Sequence, residues 1–164
     1  MPTMIKVFKL VKFSVQLLII ISCTYATAQE HTEIHVTEVD ISLVDESIMV
    51  FSVLDEPLNG PYRINNYSAG DFTTATFVDG KVHGDSKNYL QNKLIGLNKY
   101  TNGIENGESL GYDAEGNVYV RINMKDGKIH GILWHRDTGE KYYLMDKEVT
   151  KDVYEKYLTE QQKD

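Results

Sequence analysis

Cysteine is nearly missing from this 164-residue chain, with Cys23 the only one. A disulfide within one copy is thereby excluded, so the fold must be held by its own core. Proline occurs three times and tryptophan once. Basic side chains are few, 17 Lys and Arg against 24 Asp and Glu, for a net charge of −7. Such a balance repels phosphate backbones and anionic headgroups, which argues against nucleic acid and against charge-driven lipid binding. Helical periodicity is almost absent between residues 33 and 145. Gly107–Gly111 (GESLG) spells Gly-x-Ser-x-Gly, but no helical pattern follows it as a nucleophile elbow requires. Nor is there a phosphate-binding loop or a His-Glu-x-x-His helix, which removes the common sequence signatures of hydrolase, nucleotide and zinc-protease chemistry.

Long apolar runs are also scarce, and the longest has an address to explain it. Lys6, Lys9 and Lys12 precede Phe13–Ile21 (FSVQLLIII), and Ala26-Thr27-Ala28 follows with small residues before Gln29. That is the layout of an export signal over residues 1–28, too short in its apolar part to anchor the chain. Ile20-Ile21-Ser22-Cys23 offers a second reading, a lipobox with Cys23 as the lipidated first residue. Either route exports the chain, to the periplasm or beyond in the first case and to the outer membrane as a lipoprotein in the second. Removing 1–28 takes three basic residues and no acidic one, leaving 14 against 24 and a net charge of −10. About 136 residues remain, enough for one domain.

What the chain does have is glycine at a regular stride. Gly80, Gly103 and Gly127 form one ladder, and Gly60, Gly84, Gly107 and Gly131 a second, with steps of 23 or 24 residues. A period of this size marks a repeat architecture whose units bury their apolar faces only against neighbours. Phe77–Gly84 (FVDGKVHG), Tyr100–Gly107 (YTNGIENG) and Met124–Gly131 (MKDGKIHG) align without gaps. Asp-Gly and Asn-Gly pairs signal two-residue type I′ hairpins. Between them Asn92, Gly116 and Gly139 form a second turn series, since asparagine also tolerates positive φ. Each unit then holds two strands and two turns, which predicts an all-β antiparallel meander over residues 57–145.

The flanks differ. Ile34 and Val36, then Val39, Ile41 and Leu43, point to one or two opening strands in residues 29–56. The run Ile48–Leu54 (IMVFSVL) predicts a strand buried on both faces, stopped by Pro57-Leu58-Asn59-Gly60. In residues 146–164, Val149, Val153, Tyr154, Tyr157 and Leu158 fall on one side of a short helix with Thr150 as N-cap. That helix is expected to cap the open end of the sheet.

The motif aromatic-x-(Asp/Asn)-Gly-Lys-x-(His/Asn)-Gly at this interval resembles the MORN repeat, and in particular the bacterial variant of the YwqK-type antitoxin-like proteins. The resemblance covers about Pro57–Tyr143, with Ile64–Thr76 irregular and Arg136 in the place that Tyr89 and Tyr112 occupy in earlier units. It implies an elongated, single-layer sheet that acts by contact. Relatives are linked to membrane attachment, protein assembly and toxin neutralisation.

Residues that could do chemistry mostly occupy repeat positions. His83 and His130 share a place with Asn106, so a polar turn-flanking role accounts for them without a metal. Asp79, Asp113, Asp126 and Asp137 lie in turns, where Asp is favoured for its own sake. Asp113–Asn117 is only an echo of a calcium loop. No metal or other cofactor is expected. The aromatic candidates for contact are Trp134, Tyr119, Tyr89 and Tyr112, since rings with a polar tip serve interfaces. The expected function is a non-enzymatic, protein-binding or scaffold module of the bacterial envelope. An antitoxin-like or immunity-type role against one partner is the alternative, and membrane contact would come only through Cys23.

Overall fold

The computed structural model describes residues 30–44 and 48–162. Residues 1–28, the expected export signal, and Cys23 with them, lie outside the described residues. The chain runs through β1 (Thr32–His35), a short 3-10 turn at Val36–Glu38, β2 (Asp40–Val44), β3 (Ile48–Val53) and β4 (Glu56–Pro57). There follow β5 (Gly60–Asn65), β6 (Phe72–Val78), β7 (Lys81–Leu90), β8 (Lys93–Thr101) and β9 (Ile104–Glu105). The last elements are β10 (Gly107–Tyr112), β11 (Val118–Lys125), β12 (Lys128–His135), β13 (Gly139–Leu144), β14 (Lys147–Val149) and the helix α1 (Lys151–Gln161). Among the described residues the fold is all-β apart from that terminal helix and the short 3-10 turn. One sheet takes the order β1-β5-β6-β7-β8-β10-β11-β12-β13-β14, with β9 on β8, and a second is β2-β3-β4. From β5 onward neighbours in this order pair antiparallel, β10 passing over β9 to pair with β8, while β1 joins parallel to β5. The large sheet therefore begins before residue 57 and ends after 145.

Local turn chemistry builds the meander. Asp79-Gly80, Asn102-Gly103 and Asp126-Gly127 have positive φ at both residues, the type I′ form whose twist matches the strands it joins. Leu54-Asp55, Gln91-Asn92 and Met145-Asp146 adopt the same form without glycine. The second residue of a turn reaches back to the preceding unit: Gly80 N–H donates to Leu58 O at 2.9 Å, Gly103 to Val82 O at 2.8 Å and Gly127 to Glu105 O at 2.9 Å. Turns of successive units thus stack along one side of the sheet. On the other side Gly116 (φ 86°) closes a loop in which Asp113 Oδ1 accepts the N–H groups of Glu115 and Asn117, and Gly139 (φ 78°) closes the next.

The second glycine ladder has a different job. Ala75 faces Ser86 but Phe77 faces Val82, so β7 carries two extra residues around Gly84. The same two-residue excess surrounds Gly131, where Ile122 faces Leu133 and Met124 faces Ile129. These are β-bulges, which bend a strand and re-aim its side chains. On the following strand each ladder glycine faces a large side chain: Gly60 Phe77, Gly84 Tyr100, Gly107 Met124 and Gly131 Tyr143.

The core lies under the small sheet. Leu58, Ile64, Ala75 and Phe77 are buried, and Val36, Phe51, Val53 and Val82 pack on them. Phe77 is 2% exposed and meets the Phe51 ring at 5.2 Å. Here the structure corrects three sequence expectations. The Ile48–Leu54 run is not buried on both faces: β3 ends at Val53, Met49 is 47% exposed and Leu54 is 88% exposed in its turn. Its two sides serve different neighbours, since Phe51 enters the core while Val50 and Ile48 lie against the Gly80 and Gly103 turns. Val36 belongs to a 3-10 turn, with His35 accepting from Thr37 N–H as its cap, and not to a strand. And the stripe on α1 divides: Tyr154 and Tyr157 are half-buried, but Val153 and Leu158 are exposed and Thr150 makes no side-chain cap. The helix meets only the edge of the sheet, through Tyr154 on Tyr142 (5.4 Å) and Tyr157 on His130 (5.5 Å). Among the described residues a second layer exists only over the N-terminal strands, so the single-layer expectation describes the C-terminal ones. Among the described residues no helix is long and apolar enough to cross a membrane.

Candidate functional site

Cross-strand register sorts side chains between the two faces, because residues directly opposite in an antiparallel pair point the same way. One unbroken row reads Arg63, Thr74, Lys87, Leu97, Leu110, Arg121, Trp134, Glu140 across eight strands. It lies on the face opposite the core, here called the outer face. Its last three members stand in a shallow trough of about 460 Å³, completed by Glu108, Asn123, Val118 and Ile132. Trp134 is half-buried between Arg121 on one strand and Glu140 on the other. Arg121 Nε lies 3.2 Å from Glu108 Oε1, and Glu140 accepts from the Tyr142 hydroxyl at 2.8 Å. That bond, made to the protonated phenol, is the main reason the Tyr142 hydroxyl titrates above its ordinary value. Asn123 donates to Ile132 O at 2.9 Å. A second concavity of about 530 Å³ adjoins, sharing Glu108, Asn123 and Ile132 and reaching Tyr154 of α1. The combination is an indole platform ringed by both charges and an amide, open to solvent.

The other aromatic candidates are elsewhere. Tyr119 lies over Gly111, where an added Cβ would sit 3.0 Å from its Cε1, and meets His135 edge-on at 5.9 Å. Gly111 and His135 belong to the row Asn88, Gly96, Gly111, Val120, His135 on the core-side face. Tyr119 and Trp134 therefore do not share a surface. Tyr89 stacks on Phe72 at 4.3 Å, and the Arg63 guanidinium sits 3.7 Å over the far ring. Tyr112 faces Val118 at the end of β10. Arg136, in the place of those two tyrosines, ion-pairs instead with Asp113. That hydrogen bond, and then the one from Asn117 N–H, hold the Asp113 carboxyl below its usual range.

The histidines act within the fold. His83 Nδ1 accepts the Asn102 N–H at 3.5 Å, and His130 Nδ1 the Met145 N–H at 3.3 Å. Asn59 does the same for Asp79 N–H at 2.9 Å. On the core-side face a ladder of polar groups was not legible in sequence. Thr73 donates to Asn88, Asn88 to Asn98, and Glu105 Oε1 accepts from both Asn98 Nδ2 (2.7 Å) and Ser109 Oγ (2.5 Å). Tyr100 lies near it, its phenol raised by burial and then by the Glu105 charge. The ladder satisfies its own donors and acceptors, as half-buried polar groups must. Arg121, Glu108, Glu140 and Asn123 were equally unannounced: ordinary surface residues in sequence, gathered by register.

No family model matches this chain, and no curated protein matches it. Among solved structures, the S. aureus protein TarM in complex with fondaparinux, alpha-GlcNAc-glycerol and UDP is 15% identical, with a TM-score of 0.38 over 63% of this chain and 21% of that one. A further TarM crystal structure is 15% identical with a TM-score of 0.37, covering 76% of this chain and 24% of that one. The chain spans about a quarter or less of the length of those proteins, and a likeness so slight carries no argument.

Proposed function

We propose that this chain is an exported, non-catalytic, MORN-like repeat module that binds a protein partner through the outer face around Trp134. Its support is the placement of that side chain. A tryptophan with Arg121 and Glu140 on either hand, on a sheet face that no second layer covers among the described residues, matches the anchor-and-polar-rim anatomy of recognition surfaces. The rigid hairpin stack keeps the platform in place without an ordering cost on binding. Export and the net charge of −10 direct the choice of partner toward a neutral or basic envelope protein.

Photo-crosslinking in the producing cell tests this. A benzophenone amino acid at position 134 or 110 is expected to give one discrete adduct, and the same group at 119, on the other face, none. Equal labelling from both faces, or no adduct from the outer face, refutes the assignment.

A further inference from the structure

The second surface with an unmet physical demand is β2, and it belongs to the small sheet, away from the Trp134 trough. In the order β2-β3-β4 this strand is an edge, and among the described residues nothing pairs with its far side. All five of its residues, Asp40-Ile41-Ser42-Leu43-Val44, are exposed. Natural edges are guarded by charges, prolines, bulges or short length. The other terminal strands obey this: β1 carries Glu33 paired to Arg63, β14 reads Lys147-Glu148-Val149 with Glu148 bound to Lys141, and β4 is two residues long, Glu56-Pro57. β2 has one charge, Asp40, at its end.

The side chains make the same demand. Ile41 pairs with Phe51 and Leu43 with Met49, so all four lie on one face. Phe51 reaches the core, but Ile41 (55% exposed), Leu43 (67%) and Met49 (47%) overhang it. A contiguous exposed apolar strip beside an open backbone edge marks a strand-addition site.

We propose that the occupant is a second copy of this chain, its β2 running antiparallel about a two-fold axis through Ser42. The pattern is self-complementary under that operation. Ser42 faces its own mate, Ile41 faces Leu43 of the other copy, and Asp40 faces Val44. No like charges meet within these five residues, and two Ile and two Leu gather on one side of a joined six-stranded sheet. An isologous contact needs this match of a patch to itself, and a second copy is the one partner certain to offer it. A five-residue strand pair is a small interface, so the dimer is a weak one.

Sedimentation of the full chain from about 1 µM to about 1 mM is expected to show a reversible monomer–dimer equilibrium. Ile41→Lys with Leu43→Lys should weaken association at least about tenfold by charging the edge, with an unchanged far-UV spectrum because both positions face solvent. Leu54→Lys, another exposed leucine, should leave the dimer intact. In a Cys23→Ser background, Ser42→Cys should form a disulfide-linked dimer under mild oxidation, since directly opposite residues lie about 4.5–5.5 Å apart, within disulfide reach. A chain that stays monomeric throughout overturns the proposal, as does a double-lysine variant that associates like the parent. A dimer that the Ser42→Cys substitution fails to cross-link overturns the Ser42 axis.

Discussion

Gly80 and Gly127 occupy the same place in the same turn, at φ 74° and 75°, so replacing each by alanine separates two costs that usually arrive together. Both substitutions force a Cβ into the left-handed region, at roughly 1–2 kcal/mol. Both also stiffen the unfolded chain, which returns about 0.4–1 kcal/mol. For Gly127 little else changes, because the nearest atom to an added Cβ is Ile104 Cγ2 at 3.6 Å, an ordinary contact. Its net cost should be about 1 kcal/mol. At Gly80 the Cβ would lie 2.6 Å from Val50 Cγ1 and 2.8 Å from Phe51 O. Neither distance is tolerable, and the second involves backbone. Strand β3 must move, which strains the Phe51 N–H bond to Gly80 O at 2.8 Å. Overpacking adds roughly 1–3 kcal/mol and a weakened hydrogen bond roughly 0.5–1.5 kcal/mol. Gly80→Ala should therefore cost about 2–5 kcal/mol, a large share of a domain's stability. Gly103 falls between, with Ile48 Cγ2 at 2.7 Å but no backbone in the way. Urea unfolding followed by far-UV circular dichroism and by Trp134 fluorescence measures the order. Equal losses at Gly80 and Gly127 would refute the view that β3 is seated on the turns.

Three further outcomes follow from the packing and the charges. Phe77→Ala should cost about 3–5 kcal/mol, whereas Met124→Ala, in the same repeat column but half-buried, should cost well under that; similar losses in urea would mean that the small sheet adds no real core. Leu54→Asn with Asp55→Gly puts the favoured pair into a turn whose residues have φ 51° and 65°, and should raise stability by about 1 kcal/mol, read as a higher melting temperature. The Asp113 carboxyl is held below its ordinary value of 3.8 by Arg136 and then Asn117. A folded pKa below the unfolded one stabilises above the unfolded value, and the gain is lost as pH falls through the folded value. Asp113→Asn should accordingly lower the melting temperature near neutral pH and flatten its fall in acid, and an unchanged acid limb would show that the ion pair is not formed in solution.

How far the sequence reached depended on the range of the interaction. Asp-Gly and Asn-Gly pairs decide their own φ angles within two residues, so the hairpins and the all-β class could be read directly. The turn at Asn92 could also be read, from the tolerance of asparagine for positive φ. Those at Leu54-Asp55 and Met145-Asp146 could not, because neither glycine nor asparagine announces them and the strands they join impose the geometry. The bulge glycines were visible as a period but not as bulges. Their effect on the site is direct. Lys125 pairs with Lys128 beside the turn, and a plain hairpin counted outward from there would set Trp134 opposite Tyr119. Two extra residues around Gly131 set it opposite Arg121 instead, while a separate register shift between Gly111 and Tyr112 leaves Tyr119 unpaired and turns its ring to the other face.

By itself, then, the sequence determined the repeat, its turns and the strand class, all of which rest on contacts between near neighbours in the chain. Only the tertiary structure decided which face Trp134 shares and with whom, and that residues 32–57 supply both an edge strand and a second layer. It also left Ile41 and Leu43 without cover. Those outcomes depend on register and on packing between distant segments, where each residue's role is set by what the fold brings opposite it.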